Sequence, residues 1–211
     1  MLLQLIAISK VYSNRPILKN ISLNITSNTI TYLTGENGAG KSTLLKIMAG
    51  LLKPTSGEII FNCSLEEIGY LGHTPFIYQD LSAYENLLFW GRLYKKRLDK
   101  KQIATAIEQM KLTRFIYERT RTFSRGMLQR LNFARVLMLK PKLLLLDEPE
   151  SGLDNQSLSI CYNEIINAKT AGAGIVWISH NLIKNEKVDQ HIILKNKKIE
   201  YTKKEPYAFQ Q

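Results

Sequence analysis

Gly35-Glu36-Asn37-Gly38-Ala39-Gly40-Lys41-Ser42-Thr43 places three glycines, a lysine and two hydroxyls at the G-x-x-x-x-G-K-[ST] spacing that wraps a polyphosphate. Gly35, Gly38 and Gly40 permit positive φ, so the backbone N–H groups of this run, those of Asn37 and Ala39 among them, can turn inward around phosphate oxygens. A helix opening at the end of the run adds its positive N-terminus. Lys41 reaches β- and γ-phosphate oxygens as a point charge, the Ser42 hydroxyl suits Mg²⁺, and Thr43 is left for an earlier phosphate. The chemistry is that of a nucleotide triphosphate site.

A second constellation lies a hundred residues on. Leu143-Leu144-Leu145-Leu146 runs into Asp147-Glu148-Pro149, two carboxylates at the end of an apolar strand, where α/β sheets keep their ligands. Asp147 is the metal partner of Ser42, and Glu148 the candidate general base that orients or deprotonates an attacking water. Ser151-Gly152-Leu153-Asp154 makes a tight turn into the next helix. Another buried strand, Gly174 to Ile178, ends in Ser179-His180, and His180 reads either as a structural histidine or as a γ-phosphate contact at the same sheet edge. Phe123-Ser124-Arg125-Gly126-Met127 opens a helix, with Ser124 either a cap or part of a second anion site.

The elements that hold these residues can be read from periodicity. Thr29 to Leu33 is a short buried strand before the phosphate loop and Ser42 to Gly50 an apolar helix after it, the context the motif requires. Upstream, Leu2 to Ile8 and Ile17 to Ile25 alternate as antiparallel strands around a turn at Ser13-Asn14-Arg15-Pro16, with Tyr12 before the turn offering a ring that can stack on a base. Glu58 to Phe61 and Ile68 to Leu71 are further strands. Ser82-Ala83-Tyr84-Glu85 is a capping box for a helix to about Tyr94. Ile103, Ile107 and Met110 give a second helix its stripe, and Met127, Leu131, Ala134 and Met138 share a face of a third. A hairpin around Lys195-Asn196-Lys197 closes the fold. This predicts one α/β domain over residues 1–211, with a helical insert separating the two halves of the site.

Bulk properties exclude several classes. The 211 residues suffice for a real core without staples, and Cys63 and Cys161 have neither zinc spacing nor a disulfide framework, so a reducing compartment is the default. No apolar run approaches the roughly 20 residues of a membrane span, and the N-terminus lacks the basic start of a signal peptide. The net charge of +11, from 29 Lys and Arg against 18 Asp and Glu, is scattered apart from Lys95-Lys96-Arg97 and Lys100-Lys101. Without interleaved aromatics it reads as a solvated face, and no direct nucleic-acid binding is expected.

With these residues in place, the chain resembles the ATP-binding subunit of ATP-binding-cassette transporters along nearly its whole length. Gly35 to Thr43 resembles the family's Walker A, Leu143 to Glu148 its Walker B, Ser151 to Asp154 its D-loop, His180 its switch histidine, and Tyr12 the adenine-stacking aromatic. The resemblance implies a P-loop NTPase (RecA-like) core with an antiparallel β subdomain and a helical subdomain at about 76–138. It implies ATP and Mg²⁺ as ligands, ATP hydrolysis, and a head-to-tail homodimer in which Ser124, Gly126 and Asp154 of one subunit close over the nucleotide held by the other. Two departures stand out: Arg125 replaces a glycine of the signature Leu-Ser-Gly-Gly-Gln, and His73 stands where a Gln usually ligates Mg²⁺. An imidazole is a poor substitute for an amide oxygen on a hard cation.

Leu71-Gly72-His73 and the Leu-Ser-Ala-Tyr-Glu-Asn-Leu helix start further resemble the haem-exporter ATPase of cytochrome c maturation. That implies a peripheral protein on the cytoplasmic, or matrix-equivalent, face of an inner membrane. It would drive integral membrane subunits and bind no haem itself, with the coupling groove near His73 to Tyr94. The competing expectations are another short exporter ATPase, a cassette protein acting on nucleic acid or ribosomes, and a regulatory module with feeble hydrolysis.

Overall fold

The computed structural model describes residues 1–94, 98–179 and 188–202. Two sheets carry the chain. The first is antiparallel, in the order β2-β1-β4, formed by β1 (Leu3–Tyr12), β2 (Arg15–Ile25) and β4 (Ser56–Phe61). The second has six strands in the order β5-β6-β7-β3-β8-β9: β3 (Ile30–Thr34), β5 (Ile68–Leu71), β6 (Leu143–Asp147), β7 (Gly174–Ile178), β8 (Gln190–Lys195) and β9 (Lys198–Tyr201). All its neighbours are parallel except β8 and β9. Among the described residues there are five α-helices: α1 (Lys41–Met48), α2 (Ala83–Leu93), α3 (Lys100–Gln109), α4 (Arg125–Leu137) and α5 (Asn155–Thr170).

The leucine run of β6 shows why the large sheet is buried on both faces. Successive strand residues point to opposite sides. Leu143 and Leu145 pack with α1 and the inner face of the antiparallel sheet, against residues such as Leu44, Leu45, Leu3 and Leu5. Leu144 and Leu146 pack with the helices of the other face, among Leu131, Ala134, Cys161 and Ile165. A strand covered twice needs no polar alternation. Helix starts follow local chemistry: Ser82 with Glu85, and Asp99 with Gln102, form reciprocal capping boxes at α2 and α3.

The first turn is tighter than the sequence suggests. Ser13 and Asn14 alone make it, both with positive φ, while Arg15 and Pro16 already belong to β2 and Tyr12 to β1. Proline is tolerated there because β2 is an edge strand, with no ladder partner on its outer side among the described residues. The closing hairpin likewise turns on Asn196 and Lys197 rather than on Lys195. Among the described residues, no helix is long and apolar enough to cross a membrane.

Candidate nucleotide site

Parallel register sets the site. Leu33 of β3 and Asp147 of β6 both pair with Ile178 of the strand between them, and Leu71 of β5 pairs with Leu146. The C-terminal ends of four strands therefore reach one edge, and the chain leaving each supplies a candidate residue. Beyond β3 comes the loop 35–40, beyond β5 His73, beyond β6 Glu148, and beyond β7 Ser179 and His180. His180 lies outside the described residues.

The loop has the conformation its glycines allow. Gly35 sits at φ 147°, and a Cβ there would fall 2.4 Å from the Leu194 carbonyl oxygen of β8. Gly40, at φ 106°, caps α1 without a side-chain bond and leaves no room for a Cβ beside Ile17, 2.9 Å away. Only glycine fits either place. Asn37 and Gly38 are exposed, Ala39 is half-buried with its N–H donating to Glu36 O, and Thr43 is half-buried on the first turn of α1. Lys41 is buried, and its Nζ donates to the carbonyl oxygens of Gly35, at 2.8 Å, and Glu36, at 3.0 Å. Burial lowers the Lys41 pKa, against the opposing pull of Glu148 and then Asp147.

The structure joins the two constellations directly. The Ser42 hydroxyl donates to Asp147 Oδ1 at 3.1 Å. Asp147 is only 4% exposed, and burial raises its pKa more than the Ser42 bond lowers it. A hydroxyl oxygen and a carboxylate strained toward its protonated form suit a small hard cation, which removes the reason for the proton. The donor set fits Mg²⁺. Glu148 follows at φ 50°, a left-handed conformation for a non-glycine residue, with its N–H donating to Ile178 O at 3.0 Å. His73 Nδ1 stands 3.9 Å from Glu148 Oε2, longer than a hydrogen bond, with 60% of the imidazole side chain exposed. The structure thus places His73 toward the candidate base.

Tyr12 ends β1 as an exposed residue, with the Lys10 ammonium 5.0 Å from the centre of its ring. The remaining candidates form a second group, on α4 and α5 instead of α1 and β6. Ser124 caps α4, its Oγ accepting from Met127 N at 3.3 Å, and Asp154 caps α5, its Oδ1 accepting from Ser157 N at 2.6 Å. Gly126 lies between them: a Cβ there would be 3.2 Å from Ser157 Oγ and 3.8 Å from Asp154 Oδ2. Two residues without a sequence signal hold the segment just behind the carboxylate pair. Gln129 Nε2 donates to Pro149 O at 3.1 Å, and Trp177 Nε1 of β7 donates to Glu150 Oε2 at 3.1 Å. An amide or an indole in an apolar stretch gives no notice of its partner.

Comparison with known proteins adds family evidence to this geometry. The pattern of the ABC transporter family matches residues 18–151. An uncharacterized ABC transporter ATP-binding protein of Bacillus subtilis (strain 168), YdbJ, is 32% identical over 203 residues, covering 92% of this chain. The match covers 66% of YdbJ, so the chain spans just under two-thirds of that relative's length. The lantibiotic transport ATP-binding protein SrtF of Streptococcus pyogenes is 36% identical, over 83% of this chain and 78% of its own. A solved ATP-binding subunit of an ABC transporter superposes with a TM-score of 0.86 at 27% identity, over 94% of this chain and 88% of its own.

Proposed function

We propose that this chain, which belongs to the ABC transporter family as an ATP-binding subunit, hydrolyses Mg-ATP at the Lys41, Ser42, Asp147 and Glu148 site to power membrane subunits. The observation that carries this reading is the bond from Ser42 to Asp147 with Glu148 next in the chain, which couples the anion loop to the carboxylate pair.

In this reading the loop N–H groups and the start of α1 receive the phosphates, and Lys41 exchanges the Gly35 and Glu36 carbonyls for phosphate oxygens. Ser42 and Asp147 would hold Mg²⁺, which would supply positive charge beside the phosphate oxygens. Glu148 accepts a proton from water as its oxygen bonds the γ-phosphorus and the β–γ bridge breaks, leaving ADP and phosphate.

Two half-sites on one chain support a head-to-tail homodimer. Asn37, Gly38 and Ser42 are exposed at one helix start, and Ser124 at another. A second copy, rotated, sets Ser124, Gly126 and Asp154 of one subunit opposite Lys41 of the other. The single domain then divides into a core and a helical lobe at about 76–138. Its approach from β5 exposes Phe76, Tyr78, Phe89 and Leu93, braced by Trp90 Nε1 donating to Phe76 O and by the fully buried Asn86 bonded to Tyr78. A surface of this apolar character beside His73 suits a coupling helix of the membrane subunit. The protein is peripheral to the membrane through that contact. Haem as the species handled by the complex is the finer proposal. It rests on the resemblance of Leu71-Gly72-His73 and the α2 start alone, and the one named cargo among the relatives above is a lantibiotic.

The test is co-isolation of the chain with its membrane partners and measurement of Mg-ATP turnover by the complex. Turnover that disappears in Lys41→Ala is the expected result. A complex that binds ATP without hydrolysing it would overturn the proposal in favour of a regulatory module.

A further inference from the structure

The N-terminus of α4 holds the loop behind Glu148 at more points than capping requires. Arg125 Nη2 donates to Ser151 Oγ at 3.4 Å. A Cβ built on Gly152 would fall 2.3 Å from Arg125 Cζ, 2.4 Å from Nε and 2.7 Å from Nη1, so the guanidinium occupies the space a side chain at 152 would need. One turn further on, buried Gln129 grips Pro149 O. Residues 125 and 129 share one face of the helix, and these two and Gly126 all meet the segment 149–157.

A cation in the first turn of a helix opposes the helix dipole. Here the guanidinium leaves the axis and lies on the loop, a planar group over a residue with no side chain. The pair is complementary: the bulky residue in α4 is matched by the missing one in the loop. Lysine carries the same charge but lacks the plane and the fork of donors.

We propose that Arg125 is a positioning residue whose guanidinium, seated over Gly152 and bonded to Ser151, holds the loop between Glu148 and Asp154 to the start of α4, so that Ser124 and Glu148 take their places together. The contact itself stands independently of function; its consequence for turnover rests on the ATPase reading above. The departure from a small residue at position 125 is thereby accounted for without any contact between Arg125 and a nucleotide.

Hydrogen exchange on the nucleotide-free full chain, followed by ATP kinetics with the membrane partners present, tests this. Arg125→Ala is expected to speed exchange at the amides of 151–154 about fivefold, equivalent to about 1 kcal/mol, with the interior of α4 and β6 unchanged. Arg125→Lys is expected to behave like Arg125→Ala, and both to lower kcat several-fold with KM for ATP unchanged. Unaltered exchange at 151–154, or equal acceleration throughout α4, overturns the clamp. A loosened loop with kcat unchanged overturns the positioning role. Loosening of the loop when the wild type itself shows no turnover supports the clamp and counts against the ATPase reading instead.

Discussion

Replacing Glu148 by Gln removes one charge and one proton acceptor while keeping every heavy-atom position. The backbone at 148 is fixed independently, by its N–H bond to Ile178 O at 3.0 Å and its place at the end of β6, so the edge of the sheet should not move. Lys41 loses one of the two carboxylates that favour its charged form and keeps Asp147. ATP affinity should therefore hold or rise, because a negative group beside the γ-phosphate has gone. A positioned general base contributes about 10²–10⁴ in rate, which at 1.36 kcal/mol per decade is about 2.7–5.4 kcal/mol of barrier. Single-turnover measurements on Glu148→Gln should show kcat reduced by that factor with KM unchanged or lower. Size exclusion with Mg-ATP should show a persistent dimer where the wild type gives a transient one. A kcat within about tenfold of wild type, below the range a base supplies, would refute the assignment of Glu148; so would a mutant dimer that separates as fast as the wild-type one.

Substitutions at two buried charged positions, Asp147 and Arg135, give further tests. Burial raises the Asp147 pKa, so the native chain holds that proton more tightly than the unfolded chain does. Its contribution to stability is full below the unfolded value near 3.8 and is lost as pH rises through the raised native value. Asp147→Asn should consequently raise the Tm of the nucleotide-free chain at pH 7, by about 2–4 °C per kcal/mol recovered, and the gain should shrink toward pH 4. The same variant should lose the stabilisation that Mg²⁺ adds to ATP; a gain independent of pH would count against the argument. Arg135→Ala should destabilise by about 2–4 kcal/mol in urea. Arg135 is 2% exposed, and its guanidinium, with a pKa lowered to about 10 by burial, bonds Asn132 Oδ1 and Tyr70 O and lies over the Phe76 and Trp90 rings. Arg135→Met, which keeps bulk against the rings, should lose less, and equal losses would show that packing is irrelevant there.

The phosphate loop was legible because its chemistry is local: glycine φ values, the Lys41 stem and the first turn of α1 depend on nine adjacent residues. The leucine run of β6 and the Ser82 and Glu85 box were legible for the same reason, each being a pattern shorter than its element. Sheet order was not, since nothing in Leu143 to Asp147 says that β7, rather than β3, will be its neighbour. Backbone detail was also hidden: that Ser13 and Asn14 turn alone, or that Glu148 sits at φ 50°, follows from tertiary register. Arg125 reads in sequence only as a misfit in a signature. Its direction toward Gly152 depends on a loop 27 residues away being small at that one place.

The placement of β7 between β3 and β6 governs how the protein can be made. The antiparallel pair β1 and β2 can close as soon as both have left the ribosome. Strand β3, finished at Thr34, finds no partner in the large sheet until Gly174 to Ile178 arrive. At ribosomal rates that separation is roughly 7–29 s of synthesis, during which an apolar strand and the side of α1 that meets β6 and β7 have no large sheet to enter. The nascent chain therefore exposes its nucleotide loop long before it owns a nucleotide site, and shielding of those two segments by a chaperone, or their premature association with another chain, would decide the yield of folded subunit.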